Sequence, residues 1–170
     1  MAGPVTLAEY DPAWPDRYSV LEYDVRAALG RAALQIEHVG STSVPGLIAK
    51  PIVDIVLVVA DSALEEAYVP PLQAAGYALR VREPDWYEHR MLRGGEKDVN
   101  LHVFSAGCPE IDRMLRFRDR LRSNAADRER YAAVKRELAS RQWRDVQDYA
   151  GAKTDVISEI VGPSASARTG

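Results

Sequence analysis

The sequence predicts an α+β fold, a mixed β-sheet followed by helices, and three observations predict it. Short alternating or β-branched runs crowd between residues 33 and 105. Before them, apolar residues recur at helical spacing from Trp14 to Leu29. After Pro109 the pattern is helical almost to Val161. A sheet first and helices last is the order of an α+β chain; an α/β arrangement would share the same elements.

Taken in order, Val5 to Tyr10 alternates as a short strand. Pro12 and Pro15 mark the entry to a helix, where proline costs little. Trp14, Tyr18, Leu21, Val25 and Leu29 form its apolar stripe up to Gly30. Ala33 to Val39 reads as a strand. Ile52 to Ala60 is apolar on both faces, which predicts a central strand. Asp61 can cap a helix over 62–75 that Pro70 and Pro71 must break or restart and Gly76 ends. Tyr77–Val81, Tyr87–Leu92 and Val99–Ser105 read as three strands, with Gly94-Gly95 as a hairpin signal. The C-terminal helical part breaks near Ser123-Asn124 and near Arg144-Asp145. Residues 1–161 read as a single domain and 162–170 as a small, polar, disordered tail.

Composition narrows the function. The chain has 170 residues, 46% hydrophobic and 28% charged, enough to bury a real core. A net charge of -3 predicts no affinity for nucleic acid or membrane surfaces. The single cysteine, Cys108, fits a reducing compartment. There is no basic, apolar leader and no run long enough to span a bilayer, so the expected location is cytoplasmic. Residues 111–144 carry eleven Arg or Lys against five acids, an excess of +6, which leaves about -9 elsewhere. Such a segment is either a pair of helices laced with ion pairs or a positive wall facing a phosphate-bearing ligand.

The stretch Gly40-Ser41-Thr42-Ser43 ends one strand, and Asp54 begins the next. The loop is not a Walker A motif. Gly46 is followed by Leu47, Lys50 comes too late, and Pro51 stands where the hydroxyl should be. Another arrangement fits. Glycine lets backbone approach a ligand, the Ser41 hydroxyl and nearby amides can hold phosphate oxygens, and Asp54 can hold Mg²⁺. The bland alternative is a hydroxyl-capped turn beside a solvated acid. On the strand near residue 100, alternation puts Asp98, Asn100 and His102 on one face and Val99, Leu101 and Val103 on the other. His102 reads as a metal ligand or general base, or as a hydrogen-bonded structural histidine. His38 reads as a structural histidine beside the loop.

The run His38-Val-Gly-Ser-Thr-Ser-Val-Pro-Gly-Leu-Ile-Ala-Lys-Pro-Ile-Val-Asp-Ile resembles the signature of the GrpB family. The resemblance extends along nearly the whole chain. It takes in Tyr10-Asp-Pro-Ala-Trp-Pro, Leu101-His102-Val103, Phe117-Arg118-Asp119-Arg120-Leu121-Arg122, and Tyr131 with Lys135. It implies a mixed sheet of the polymerase-β-type nucleotidyltransferase kind, with C-terminal helices packed beside the cleft. That superfamily moves a nucleoside monophosphate from a nucleoside triphosphate to an acceptor, using divalent ions held by a D-x-D acid pair. This chain departs from the pattern, since Val56 follows Asp54-Ile55. The family's two histidines before Leu101-His102 are here Val99 and Asn100.

The resemblance thus implies a Mg²⁺-dependent transferase acting on a nucleoside triphosphate and an unknown small-molecule acceptor. Asp54 and His102 would be metal ligands, and Asp54, His102 and Asp98 the catalytic group. Gly40, Ser41, Thr42, Ser43, Lys50, Arg90, Arg118, Tyr131, Lys135, Tyr149 and Lys153 would meet nucleotide or phosphate. Each Tyr–Lys pair is four residues apart, on one helix face, which suits amphipathic packing as well. Arg90 reads equally as a phosphate contact or a surface arginine, with His89 pointing to the opposite face. The missing second acid supports a different reading, a non-catalytic nucleotide- or phosphate-binding module. An accessory domain working with a partner is a third, since related domains occur fused to a coenzyme A biosynthetic kinase.

Overall fold

The computed structural model describes residues 6–140 and 157–162. The tail expected over 162–170 lies, but for Gly162, outside the described residues, as do Tyr149 and Lys153. Helix α1 (Trp14–Leu29) leads to strand β1 (Gln35–Val39), and a long loop to β2 (Val53–Val59). Helix α2 (Val69–Ala74) follows, then β3 (Tyr77–Glu83), β4 (His89–Gly94) and β5 (Val99–Ser105). Helices α3 (Pro109–Ser123) and α4 (Ala125–Ser140) come last.

The five strands form one mixed sheet in the order β1-β2-β5-β4-β3. The pair β2–β5 is parallel and the other pairs are antiparallel. β2 is interior to the sheet, and its apolar residues are buried on both faces. Ile55 and Leu57 join α1 and α2, around Leu21, Val25 and Leu72. Val56 and Val58 join Phe104 and Ile111 beneath α3. Each such fully buried side chain contributes about 1.5–3 kcal/mol. A third apolar cluster seats α3 and α4 on the long loop, through Val44, Leu47 and Ile48 against Leu121 and Tyr131. No helix among the described residues is long and apolar enough to cross a membrane.

Two expected elements differ. The segment before Pro12 is no strand; Ala8 pairs only with Ala49, through bonds of 2.8 and 3.0 Å. Its alternation has a loop residue, not a strand, beside it, and Val5 lies outside the described residues. The helix expected from Ser62 starts only at Val69, after a 3₁₀ turn over Glu65–Ala67. Pro70 and Pro71 occupy its first turn, where a missing N–H needs no partner. Asp61 instead caps a turn, accepting from the Ala63 amide at 3.0 Å.

His38 belongs to the α1 side of β1. Its ring stacks on Tyr18 at 4.6 Å, and Nε2 hydrogen-bonds Thr42 Oγ1 at 2.9 Å. Burial, with repulsion from Arg122 and Arg118 opposed by Asp54, pushes its pKa down to about 4. The ordinary value is 6.5. Protons therefore bind the unfolded chain first as pH falls. The folded state keeps its full advantage above pH 6.5 and loses it progressively toward pH 4, by about 3 kcal/mol. Denaturant unfolding at pH 7.5, 5.5 and 4.5 should show this loss, and His38→Gln should flatten it by about 2 kcal/mol at pH 4.5.

Candidate functional site

The antiparallel pairing of β1 with β2 sets Val39 opposite Asp54. The next residue, Gly40, therefore turns beside the Asp54 side chain. Its φ of +74° favours glycine, and a Cβ placed there would lie 2.7 Å from Asp54 Oδ2. The two ends of the loop meet because the strands they terminate are neighbours. Ser41–Ser43 then forms a 3₁₀ turn, closed by Ser43 Oγ donating to the Gly40 carbonyl at 2.5 Å. Thr42 is buried behind it, on His38.

Basic residues of α3 and α4 hold the loop in place. Lys135 Nζ donates to Ser41 Oγ at 2.6 Å and to the Ile48 carbonyl at 2.7 Å. Arg122 donates to the Ser43 carbonyl at 2.9 Å. Arg118 donates to Glu37 at 2.9 Å and to the His38 carbonyl at 3.2 Å. Other arginines of these helices pair with acids, Arg116 with Asp112 and Arg120 with Asp127. The basic segment is thus laced with ion pairs and loop contacts. Lys135 and Arg118, expected to meet phosphate, are engaged with the loop and with Glu37, and Lys135 reaches the turn through Ser41. Tyr131, expected to meet a nucleotide, is packed edge-on against Phe117 in the apolar cluster. An (i, i+4) pair shares a helix face, and here that face is the buried one. Lys50 is partly buried at the Asp54 end of the loop.

Two polar chains converge on Asp54 Oδ1. In the first, Asn100 Nδ2 donates to it at 3.3 Å, Arg93 donates to Asn100 Oδ1 at 3.3 Å, and Asp98 pairs with Arg93 at 3.1 Å. Asp98, also paired with Arg17, thus sits two residues removed from the Asp54 carboxylate. In the second, His102 Nε2 lies 3.3 Å from Asp54 Oδ1, and His102 Nδ1 lies 3.2 Å from His89 Nε2. His89 Nδ1 in turn lies 2.8 Å from Glu83 Oε1.

His89 and Glu83 were not among the expected site residues. Antiparallel partners share a sheet face, and Arg90 pairs with Val103 while Met91 pairs with His102. Arg90 therefore points to the α2 side, where it is buried on Glu65 at 2.6 Å and Glu88 at 3.1 Å. The hydrogen bonds of Arg82, joined by Arg90, outweigh burial and hold the Glu65 carboxyl down at about 2. Arg90 is thus a core ion-pair residue rather than a surface or phosphate-facing one. His89, one residue earlier, is on the sheet face of His102 and Asp54. Alternation announced that the two would diverge, but only the register shows which face carries Asp54.

Among the described residues no three His, Cys, Asp or Glu side chains gather as a metal-binding set. The donors at the mouth are one carboxylate, Asp54, and one imidazole nitrogen, His102 Nε2. Val56, where a second acid would stand, is fully buried, and its cross-strand partner is His102. This set fits one divalent cation whose remaining ligands come from water or substrate oxygens.

A family model described as GrpB protein matches residues 4–162. The chain is 60% identical over 157 residues to UPF0157 protein BH1888 of Halalkalibacterium halodurans, covering 92% of this chain and 80% of that one. Among solved structures it resembles conserved protein GrpB from Enterococcus faecalis, with TM-score 0.76 and 28% identity over 91% of this chain and 98% of that one. It also resembles the Cid1 poly(U) polymerase with MgGTP bound, with TM-score 0.57 and 13% identity over 79% of this chain and 45% of that one. At that identity the likeness shows the fold alone.

The contact between Gly40 and Asp54 is testable without any ligand. Gly40→Ala should destabilise the protein by about 3 kcal/mol, combining left-handed strain with the clash. Gly46→Ala, with φ +86° and nothing within 4 Å of the new Cβ, should cost only the strain, about 1–2 kcal/mol. Adding Asp54→Ala should recover part of the Gly40→Ala loss; strictly additive denaturant midpoints would contradict the contact.

Proposed function

The chain belongs to the GrpB family, and from that premise we propose that it is a nucleotidyltransferase-like enzyme. It moves a nucleoside monophosphate from a nucleoside triphosphate to a small-molecule acceptor, with Mg²⁺ as the helper ion, as in the superfamily pattern. The observation that carries this reading is the apposition of Gly40, the residue that opens the Ser41–Ser43 turn, to the Asp54 carboxylate. A phosphate grip and a cation ligand share one mouth.

In this reading the Ser41 hydroxyl and the amides opening the 3₁₀ turn hold phosphate oxygens. Thr42 and Ser43 shape the turn, and Lys50 lies at its far end. Asp54 and His102 hold the divalent ion, and Asn100 orients the carboxylate. The ion, when bound, neutralises phosphate charge. The acceptor hydroxyl oxygen bonds to the α-phosphorus as the bond to the pyrophosphate oxygen breaks, and its proton leaves to a base in the cleft. Tyr149 and Lys153, proposed as nucleotide contacts, lie outside the described residues. A small acceptor is supported by the charge of -3 and by the ion-paired state of the basic helices.

A second reading, a non-catalytic nucleotide-binding module, is favoured by buried Val56 at the second acid position. Thermal unfolding with ATP, GTP, CTP and UTP, each with and without Mg²⁺, separates the two. The enzyme reading expects a rise in Tm of about 5 °C or more that needs both nucleotide and metal. Asp54→Ala should abolish it. An equal rise without metal would favour the module, and no rise with any nucleotide would defeat both.

A further inference from the structure

We infer that the outer face of α1, with the groove between α1 and α2, is a self-association surface whose occupant is a second copy of this chain. The two α1 helices pack antiparallel about a two-fold axis beside Tyr23. This goes beyond the preceding reading and does not depend on it. Asp54, Val56 and Val58 alternate along β2 with Ile55 and Leu57, and only the latter pair packs on α1 and α2. The dimer therefore forms on the side of the sheet away from Asp54.

Helical period decides which residues form the face. Trp14, Leu21, Val25 and Leu29 are the buried side of α1. The same period puts Asp16, Val20, Tyr23 and Ala27 on the side opposite. Among the described residues four large hydrophobic side chains are exposed, and two of them are here, Val20 at 62% and Tyr23 at 74%. One exposed apolar residue is ordinary, but two a turn apart on a helix already buried on its other side make a stripe. Beside the stripe, Ala27, Ala28, Pro71, Ala74 and Ala75 line a groove of about 560 Å³. Their side chains are small, so the backbone of a partner helix can come close. Two charged residues border the groove, and they answer each other: Lys97 Nζ lies 3.9 Å from Asp24 Oδ2 and also donates to the Ala75 carbonyl at 2.9 Å. The middle of the surface thus offers large apolar groups, small ones beside them and no net charge, which is the composition of an interface core.

Charge complementarity names the occupant. The charges of the stripe stand at its two ends, Asp16 in the first turn of α1 and Arg31 just past the last. Both are exposed, and neither forms an ion pair among the described residues. They lie at nearly equal distances before and after Tyr23. An antiparallel copy therefore sets Asp16 of each chain against Arg31 of the other. The same register sets Val20 of each chain against Ala27 of the other, large against small, as a two-fold interface requires. The two Tyr23 side chains meet beside the axis, where an aromatic anchor contributes most. A parallel copy would instead put Asp16 on Asp16 and Arg31 on Arg31. The helix dipoles, too, oppose a parallel pair and favour an antiparallel one. One helix of 16 residues and one of six make a small surface. The expected dimer is correspondingly weak, with Kd on the order of 10 µM.

The test is sedimentation equilibrium of the full chain, without nucleotide or metal, from about 2 to about 500 µM. Wild type should pass from monomer to dimer across that range. Tyr23→Asp should remain monomeric throughout, and Tyr23→Ala should raise Kd about tenfold. Tyr23 is exposed in the single chain, so at the lowest concentration both variants should unfold at a midpoint close to wild type. Charge reversal reads the register. Asp16→Arg and Arg31→Asp should each weaken the dimer about fivefold, and the two together should restore it. A wild-type chain still monomeric at the highest concentration would overturn the inference. So would a dimer that Tyr23→Asp leaves intact, because its interface would lie elsewhere. A dimer tightened by Asp16→Arg, or a double reversal that stays as weak as the single ones, would equally refute the antiparallel pairing. Because no nucleotide is present, none of these outcomes bears on the transferase reading.

Discussion

The pairing of Val39 with Asp54 across β1 and β2 is the constraint on which the mouth of this sheet depends. It brings the end of one strand and the start of the next together although a long loop separates them in sequence. At that point a side chain on residue 40 and the Asp54 carboxylate would claim the same volume. Glycine removes one claimant and supplies the positive φ that turns the chain into Ser41. The Ser41–Ser43 turn and the acid are therefore one structural feature. Shifting β2 by one residue would send Asp54 to the opposite face, into the apolar packing of α1 and α2.

The helices of the C-terminal half act on this feature from behind. A buried lysine costs desolvation unless its ammonium is well satisfied. Lys135 meets that condition by bonding Ser41 Oγ and the Ile48 carbonyl, and in doing so ties α4 to both ends of the loop's first half. Arg118 and Arg122 do the same for the His38 and Ser43 carbonyls. The positive charge of the segment thus shapes the loop before it could attract any ligand. A turn fixed in this way is already ordered without any ligand.

Local patterns in the sequence foretold what local chemistry determines. β5 lies over Val99–Ser105 as its alternation predicts, and β2 is buried on both faces as its apolar run predicts. The meeting of Gly40 and Asp54 was inferred from a strand, a turn and an acid in sequence order. What the sequence could not show depends on partners. Tyr131 and Lys135 share a helix face, but spacing does not say whether that face looks inward. Arg90 and His89 alternate, but which of them joins Asp54 follows from the β4–β5 register. The link from Glu83 to His102 spans three strands, and no period within one strand contains it.

Having Asp54 without a second acid at Val56 has a physical consequence beyond weaker charge. A lone carboxylate can swing, and a swinging ligand pays rotamer entropy on each binding event. Here Asn100 and His102 converge on the same oxygen, Oδ1, while Oδ2 is bounded by the Gly40 backbone. Both neighbours are themselves held, Asn100 by Arg93 and His102 by His89. The carboxylate is fixed from two directions by chains that end in Asp98 and Glu83. A second acid beside it would add charge but also like-charge repulsion in the metal-free protein. Buried Val56 and a supported imidazole avoid that repulsion and leave one rigid carboxylate beside one imidazole.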